Sequence, residues 1–133
     1  MVGYGAYVFA AGEAAALKNS DREALLRAAS VAVRHGLEKG RPPRLNTGAY
    51  PEAVRAKRAS FVTLKRGDRL RGCIGSVTPL LPLVKDVAQN AYGAAFDDSR
   101  FKPLAADEFA GLTIAISILS AFEPLAAGCE AEL

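Results

Sequence analysis

The sequence predicts an α+β domain, an antiparallel sheet flanked by helices, and three observations predict it. Two segments carry apolar residues at helical spacing, two β-prone runs are joined by a short glycine-containing turn, and the run from Leu112 to Leu119 alternates apolar with small side chains. A hairpin is antiparallel by construction, so the helices have a sheet face to cover. At 133 residues the chain has room for a single compact domain. Leu, Ile, Val and Phe make up about a quarter of it, above the roughly 20% at which disorder becomes the better expectation.

The elements follow in order. Residues 1–19 form an N-terminal segment with no assignment, and the domain runs over 20–133. Ser20 followed by Glu23 has the spacing of a capping box, and Leu25, Leu26, Ala29, Val33 and Leu37 then trace one face of a helix over about 21–39. Gly40 supplies its stop, and Pro42 and Pro43 prevent continuation. A loop follows, with a short basic helical turn at 52–58. Phe61–Lys65 and Leu70–Ile74 read as a hairpin across Arg66-Gly67-Asp68-Arg69. On its second strand the period of two sends Leu70, Gly72 and Ile74 to one face and Arg71, Cys73 and Gly75 to the other. Leu80, Leu83, Val84, Val87, Ala88, Ala91 and Ala95 then mark a second helix that runs to about Phe96, with Pro82 in its first turn. After the polar break Asp97–Arg100, the alternation at 112–119 is a strand.

Charge and cysteine content narrow the function classes. The net charge of +3 hides an excess between Arg34 and Arg71, where eleven Lys or Arg face three acids. Such a stretch suits phosphate or RNA as well as a solvated face; the only aromatic among its later cations, Phe61, belongs to the core, so base stacking is not visible. Cys73 and Cys129 are too few for a disulfide scaffold and, with the single His35, too few for a structural zinc site. A reducing cytoplasmic location is expected, with no cofactor, no metal and no membrane span. Met1–Lys18 lacks the positive leader of an export signal.

The region that carries candidate chemistry is Arg71 to Gly75. Cys73 is either a catalytic thiolate stabilised by its same-face neighbour Arg71, or a small buried hydrophobe without a base; His35 reads as a solvated helix position. Gly72 and Gly75 mark either a bulge with room for a ligand or tight packing of a helix on the strand. Arg71, Asn90, Asp98 and Arg100 converge if the second helix folds back over the hairpin, and Asp98 with Arg100 equally suits a local ion pair.

The run Phe61-Val62-Thr63-Leu64, then Leu70-Arg71-Gly72-Cys73-Ile74-Gly75, Ala91 with Ala94-Ala95-Phe96, Asp98-Ser99-Arg100-Phe101 with Pro103, Glu108, and Ile116-Ser117-Ile118-Leu119 resembles the AMMECR-one domain family. The resemblance spans about 58–124 and, more loosely, the first helix. It implies an antiparallel sheet with flanking helices in a domain that continues beyond Leu133, so that the family's C-terminal part is expected to be missing here. It implies no catalytic assignment, and it names as possible partners a Memo-like protein and a radical S-adenosylmethionine protein. Lys102 stands where the family often has proline. Together these readings make Arg71, Gly72, Gly75, Asn90, Asp98 and Arg100 the candidate surface for a small anionic ligand or a partner protein; an enzyme using Cys73 and an RNA-binding module are the alternatives.

Overall fold

The computed structural model describes residues 18–119 apart from Val77; residues 1–17, which make up nearly all of the unassigned N-terminal segment, and Cys129 lie outside the described residues. Its α-helices are α1 (Asn19–Lys39) and α2 (Leu83–Phe96), with short 3-10 turns at Thr47–Ala49, Glu52–Val54 and Ala106–Gly111, and its strands are β1 (Ser60–Arg66), β2 (Arg69–Gly75) and β3 (Leu112–Ile118). The sheet order is β2-β1-β3, with both outer strands antiparallel to β1. The connection from β2 through α2 to β3 therefore crosses over the central strand.

Both helices share one core with one face of the sheet. Val62 and Leu64 on β1 and Ile114, Ile116 and Ile118 on β3 are fully buried there, beside Leu25 and Val33 of α1 and Leu83, Val84 and Val87 of α2. Alternation places those β3 residues on the same side as their β1 partners Leu64, Val62 and Ser60. The helices approach each other closely because Gly36 of α1 has no side chain: a Cβ there would stand 2.3 Å from the Phe96 ring. Among the described residues no helix is long and apolar enough to cross a membrane.

α1 begins as expected within two residues, but with a different cap. Asp21, not the Ser20–Glu23 pair, reaches back to accept from the Lys18 backbone N–H at 3.0 Å. Gly40 ends the helix at φ +75°, donating to the Gly36 carbonyl at 2.9 Å. His35 is half-exposed, with Nδ1 2.8 Å from the Arg41 carbonyl, so from its partly solvated position it also ties down the chain after the helix. α2 starts after Pro82, and Leu80 lies before it, 69% exposed and outside the apolar stripe.

The hairpin turn is Gly67-Asp68, and Gly67 at φ +60° supplies the positive φ that a tight hairpin needs at its first central position. The ladder then slips. Leu64 pairs with Gly72 but Lys65 pairs with Leu70, which leaves Arg71 as an extra residue in β2. This bulge overturns the simple alternation: Leu70 packs with Ala59, Phe61, Cys73 and Leu119 on the face away from the helices, and no longer shares a face with Gly72 and Ile74.

Candidate functional site

The bulge takes Arg71 out of the ladder and sends its guanidinium across the sheet edge to the segment after α2. Nε and Nη2 donate to the two carboxylate oxygens of Glu108, each at 3.0 Å, and Nη2 also donates to the Lys102 carbonyl at 2.8 Å. Glu108 is fixed in turn, accepting from the Ala105 backbone N–H at 2.8 Å and from Arg66 at 3.1 Å. These donors hold its carboxyl down at about 2; the Arg71 pair contributes most, then the Ala105 N–H. The Phe101 ring lies under both the Arg71 and the Arg100 guanidinium, 5.9 and 5.5 Å from its centre.

Asp98 orders the same edge. β2 is an outer strand, and the Cys73 N–H finds its acceptor in Asp98 Oδ2 at 3.0 Å. Arg100 folds back onto Asp98 with Nε at 3.0 Å and Nη2 at 2.8 Å, and that pair, ahead of the Cys73 N–H, keeps the Asp98 carboxyl down at about 2. Asp98 and Arg100 are thus mutually neutralised.

Between the hairpin turn and this segment lies a cleft of about 570 Å³, lined by Arg66, Arg69, Leu70, Arg71 and Phe101, with glycines at 67 and 111. Three guanidinium groups line it, and Glu108 is the carboxylate that compensates two of them. Arg71 has a further peculiarity. Of its five N–H donors, the two on Nη1 are buried and have no acceptor.

The sequence-predicted residues divide. Arg71, Asp98 and Arg100 come together; Asn90 does not join them. It lies towards the other end of β2, where its side-chain amide reaches the Ser60 carbonyl and Asp86 Oδ2, each at 3.0 Å. Asp86 also accepts from Ser60 at 2.7 Å and Ser76 at 2.6 Å, with no cation in the cluster, and burial pushes its carboxyl above the ordinary value. Gly72 and Gly75 answer to packing: a Cβ on Gly72 would stand 1.9 Å from the Ala94 carbonyl oxygen of α2, and one on Gly75 would stand 2.5 Å from the Phe61 ring. Cys73 is 4% exposed, with Thr63 Oγ1 3.2 Å from its sulfur. Among the described residues no cluster of three His, Cys, Asp or Glu side chains gathers as a metal site would require.

Sequence reasoning does not assign Arg66, Arg69, Phe101 and Glu108 to the site. Glu108 stands among the quoted family motifs, and its spacing after Ala105 has the form of a helix-start acceptor; the arginines are legible only as part of a diffuse basic stretch.

Comparison with known proteins bears on the same region. The AMMECR1 family model matches residues 26–132. A protein of Aeropyrum pernix is 43% identical over 113 residues, covering 82% of this chain and 48% of its own length. One from Methanothermobacter thermautotrophicus is 33% identical, covering 84% of this chain and 57% of itself. The crystal structure of the uncharacterized protein PH0010 from Pyrococcus horikoshii superposes with a TM-score of 0.73 at 34% identity, covering 79% of this chain and 54% of that one. The chain spans about half the length of these relatives.

Proposed function

The chain belongs to the AMMECR1 family, and from that premise we propose that it binds a small anion, of the carboxylate or phosphate type, in the cleft between the hairpin turn and Phe101. The observation that carries this reading is the Arg71 guanidinium. Glu108 and the Lys102 carbonyl fix its plane, while its Nη1 donors are buried without an acceptor and the Arg71 side chain is one of those that line the cleft. A buried donor without a partner costs about 1–3 kcal/mol, which an anion recovers by accepting from it once a shift of the Arg71 side chain turns Nη1 into the cleft. Arg66 and Arg69 supply the attraction. Arg66 is half-exposed and shares Glu108, and Arg69 is exposed, so both can turn towards a ligand.

This division of labour selects the variants. Arg71→Ala removes the strand anchor along with the ligand contact, so it does not separate binding from folding. The double reversal Arg66→Glu with Arg69→Glu changes only exposed side chains. Titration of the wild-type chain with pyrophosphate and with citrate, followed by NMR shifts at Gly67, Arg69 and Phe101, should give saturable binding with at least one of them. The double reversal should weaken it tenfold or more, and Arg69→Glu alone, which leaves the Arg66–Glu108 pair in place, should weaken it at unchanged melting temperature. Absence of saturation with both anions, or binding indifferent to the reversal, refutes the reading. A single-stranded RNA oligonucleotide that binds at low salt while both small anions do not would favour the RNA-binding alternative.

A further inference from the structure

A second concavity lies on the other side of α2, away from the arginine cleft. Lys85, Ala88, Gln89 and Tyr92 occur at i, i+3, i+4 and i+7, so they share one stripe of the helix, and this stripe forms one wall. The opposite wall is the loop of Pro42, Pro43, Arg44 and Leu45. That loop is held along the helix at both ends. The Gly40 carbonyl accepts from the Tyr92 hydroxyl at 3.1 Å, and further on the Ala56 carbonyl accepts from the Leu83 N–H at 2.8 Å. The groove so formed has a volume of about 770 Å³.

Its charges are arranged by end. Lys85 stands in the first turn of α2, and Asp97 is the residue at its C-terminal cap; both line the groove. Twelve residues of helix separate them by roughly 18 Å at about 1.5 Å per residue. Each charge opposes the helix macrodipole, which favours acids at the N-terminus and bases at the C-terminus. Neither side chain has an ion-pair partner among the described residues, and both are exposed. Their placement therefore does nothing for the helix. The lining between and around them is mixed, with Gln89 and the Tyr92 ring beside Ala88, Leu45, Leu81 and the two prolines, and Leu80 beside Leu81 is exposed to 69%.

We infer that this groove docks a short extended segment of a partner protein, with an acidic residue at the end over Lys85 and a basic residue at the end over Asp97. Apolar side chains lie between them, and Arg44 on the loop wall adds to the attraction for acid. A span of roughly 18 Å accommodates about five or six extended residues at about 3.3 Å each. Pro42 and Pro43 have no backbone N–H and interrupt any ladder along the loop wall, so recognition rests chiefly on side chains and end charges.

The test is a selection of displayed random octapeptides on the full chain, followed by fluorescence polarisation with the enriched sequences. Enriched peptides should carry an acid towards one end and a base towards the other. Lys85→Glu combined with Asp97→Lys should weaken each of them tenfold or more, and exchanging the acid and base within the peptide should restore affinity to the double variant. The variant should melt no lower than wild type, since both reversals place charges at the helix ends that favour them. The Arg66→Glu, Arg69→Glu chain should bind the peptides unchanged, which keeps this test separate from that of the anion cleft. No enrichment, affinity indifferent to the Lys85 and Asp97 reversals, or a loss that peptide charge exchange does not restore overturns the inference.

Discussion

The two ends of strand β2 each hold carboxylates, and they hold them by opposite means. Near its C-terminal end Asp86 is surrounded by neutral donors, the Ser60 and Ser76 hydroxyls and the Asn90 amide, and burial without a cation pushes its pKa up. Near the hairpin turn Glu108 and Asp98 are met by guanidinium groups and backbone N–H donors, which hold both carboxyls down at about 2. The first cluster is closed: donors and acceptor are matched inside the fold, joining α2 to the ends of both hairpin strands. The second is open, because Arg66, Arg69 and Arg71 exceed the one carboxylate among them and a cleft lies beside the excess. A polar side chain in this fold is thus a sign of ligand chemistry only where its charge is left uncompensated, which separates Arg71 from Asn90.

The largest break is one that strikes the support common to both ends. Gly72 lies against the Ala94 carbonyl of α2, and the added methyl of Gly72→Ala would meet backbone that has no rotamer to give. Overpacking of this kind should cost about 3 kcal/mol or more, read as loss of the cooperative urea transition or a large drop in its midpoint. A loss within about 0.5 kcal/mol would mean that α2 rides loosely on the sheet, and the separation of the two clusters would lose its basis.

Acid titration sharpens the contrast because the two ends carry opposite signs. Glu108 has a folded pKa of about 2 against an ordinary 4.5, so the stability it contributes is complete above its ordinary value and is lost as pH falls towards 2. Asp98 behaves likewise. Asp86 is raised from 3.8, so the folded chain gives up that proton less readily than the unfolded one, and stability declines as pH rises from 3.8 through the raised value. Urea unfolding between pH 2 and 7 should therefore show a shallower acid loss in Glu108→Gln, whereas Asp86→Asn should remove the opposing decline and leave a steeper rise with pH. Equal pH profiles for both variants and wild type would contradict the two-ended arrangement.

How far the sequence anticipates this depends on the kind of interaction. Helix positions, the Gly40 stop, the hairpin and β3 follow from periodicity and turn chemistry, which are local. The bulge is half legible: glycine at 72 marks a break in a strand, but the slip between Leu64 and Lys65 that makes Arg71 the extra residue is a property of the paired ladder. Its consequence, Leu70 beside Cys73 and Arg71 carried off to Glu108, depends on residues 37 positions apart. Asn90 groups with Arg71 in the sequence because both are polar and near the hairpin in the chain. Four residues before it, Asp86 on the same helix face already offers a partner, and Ser60 and Ser76 complete a set that nothing local announces.

The finest division lies within Arg71 itself, between anchoring the strand and meeting the ligand. Arg71→Lys keeps the positive charge and the aliphatic stem but loses the planar fork, so it cannot span both oxygens of Glu108 while also donating to the Lys102 carbonyl. Because the charge persists beside Glu108, the stability cost should be modest, about 1 kcal/mol. The Nη1 donors, however, vanish altogether. Anion binding should then weaken about tenfold, with Arg66 and Arg69 still present and the affinity more sensitive to salt, since what remains is attraction between mobile, solvated charges. Unchanged affinity in Arg71→Lys would assign the whole of recognition to the two exposed arginines and leave Arg71 as an anchor only.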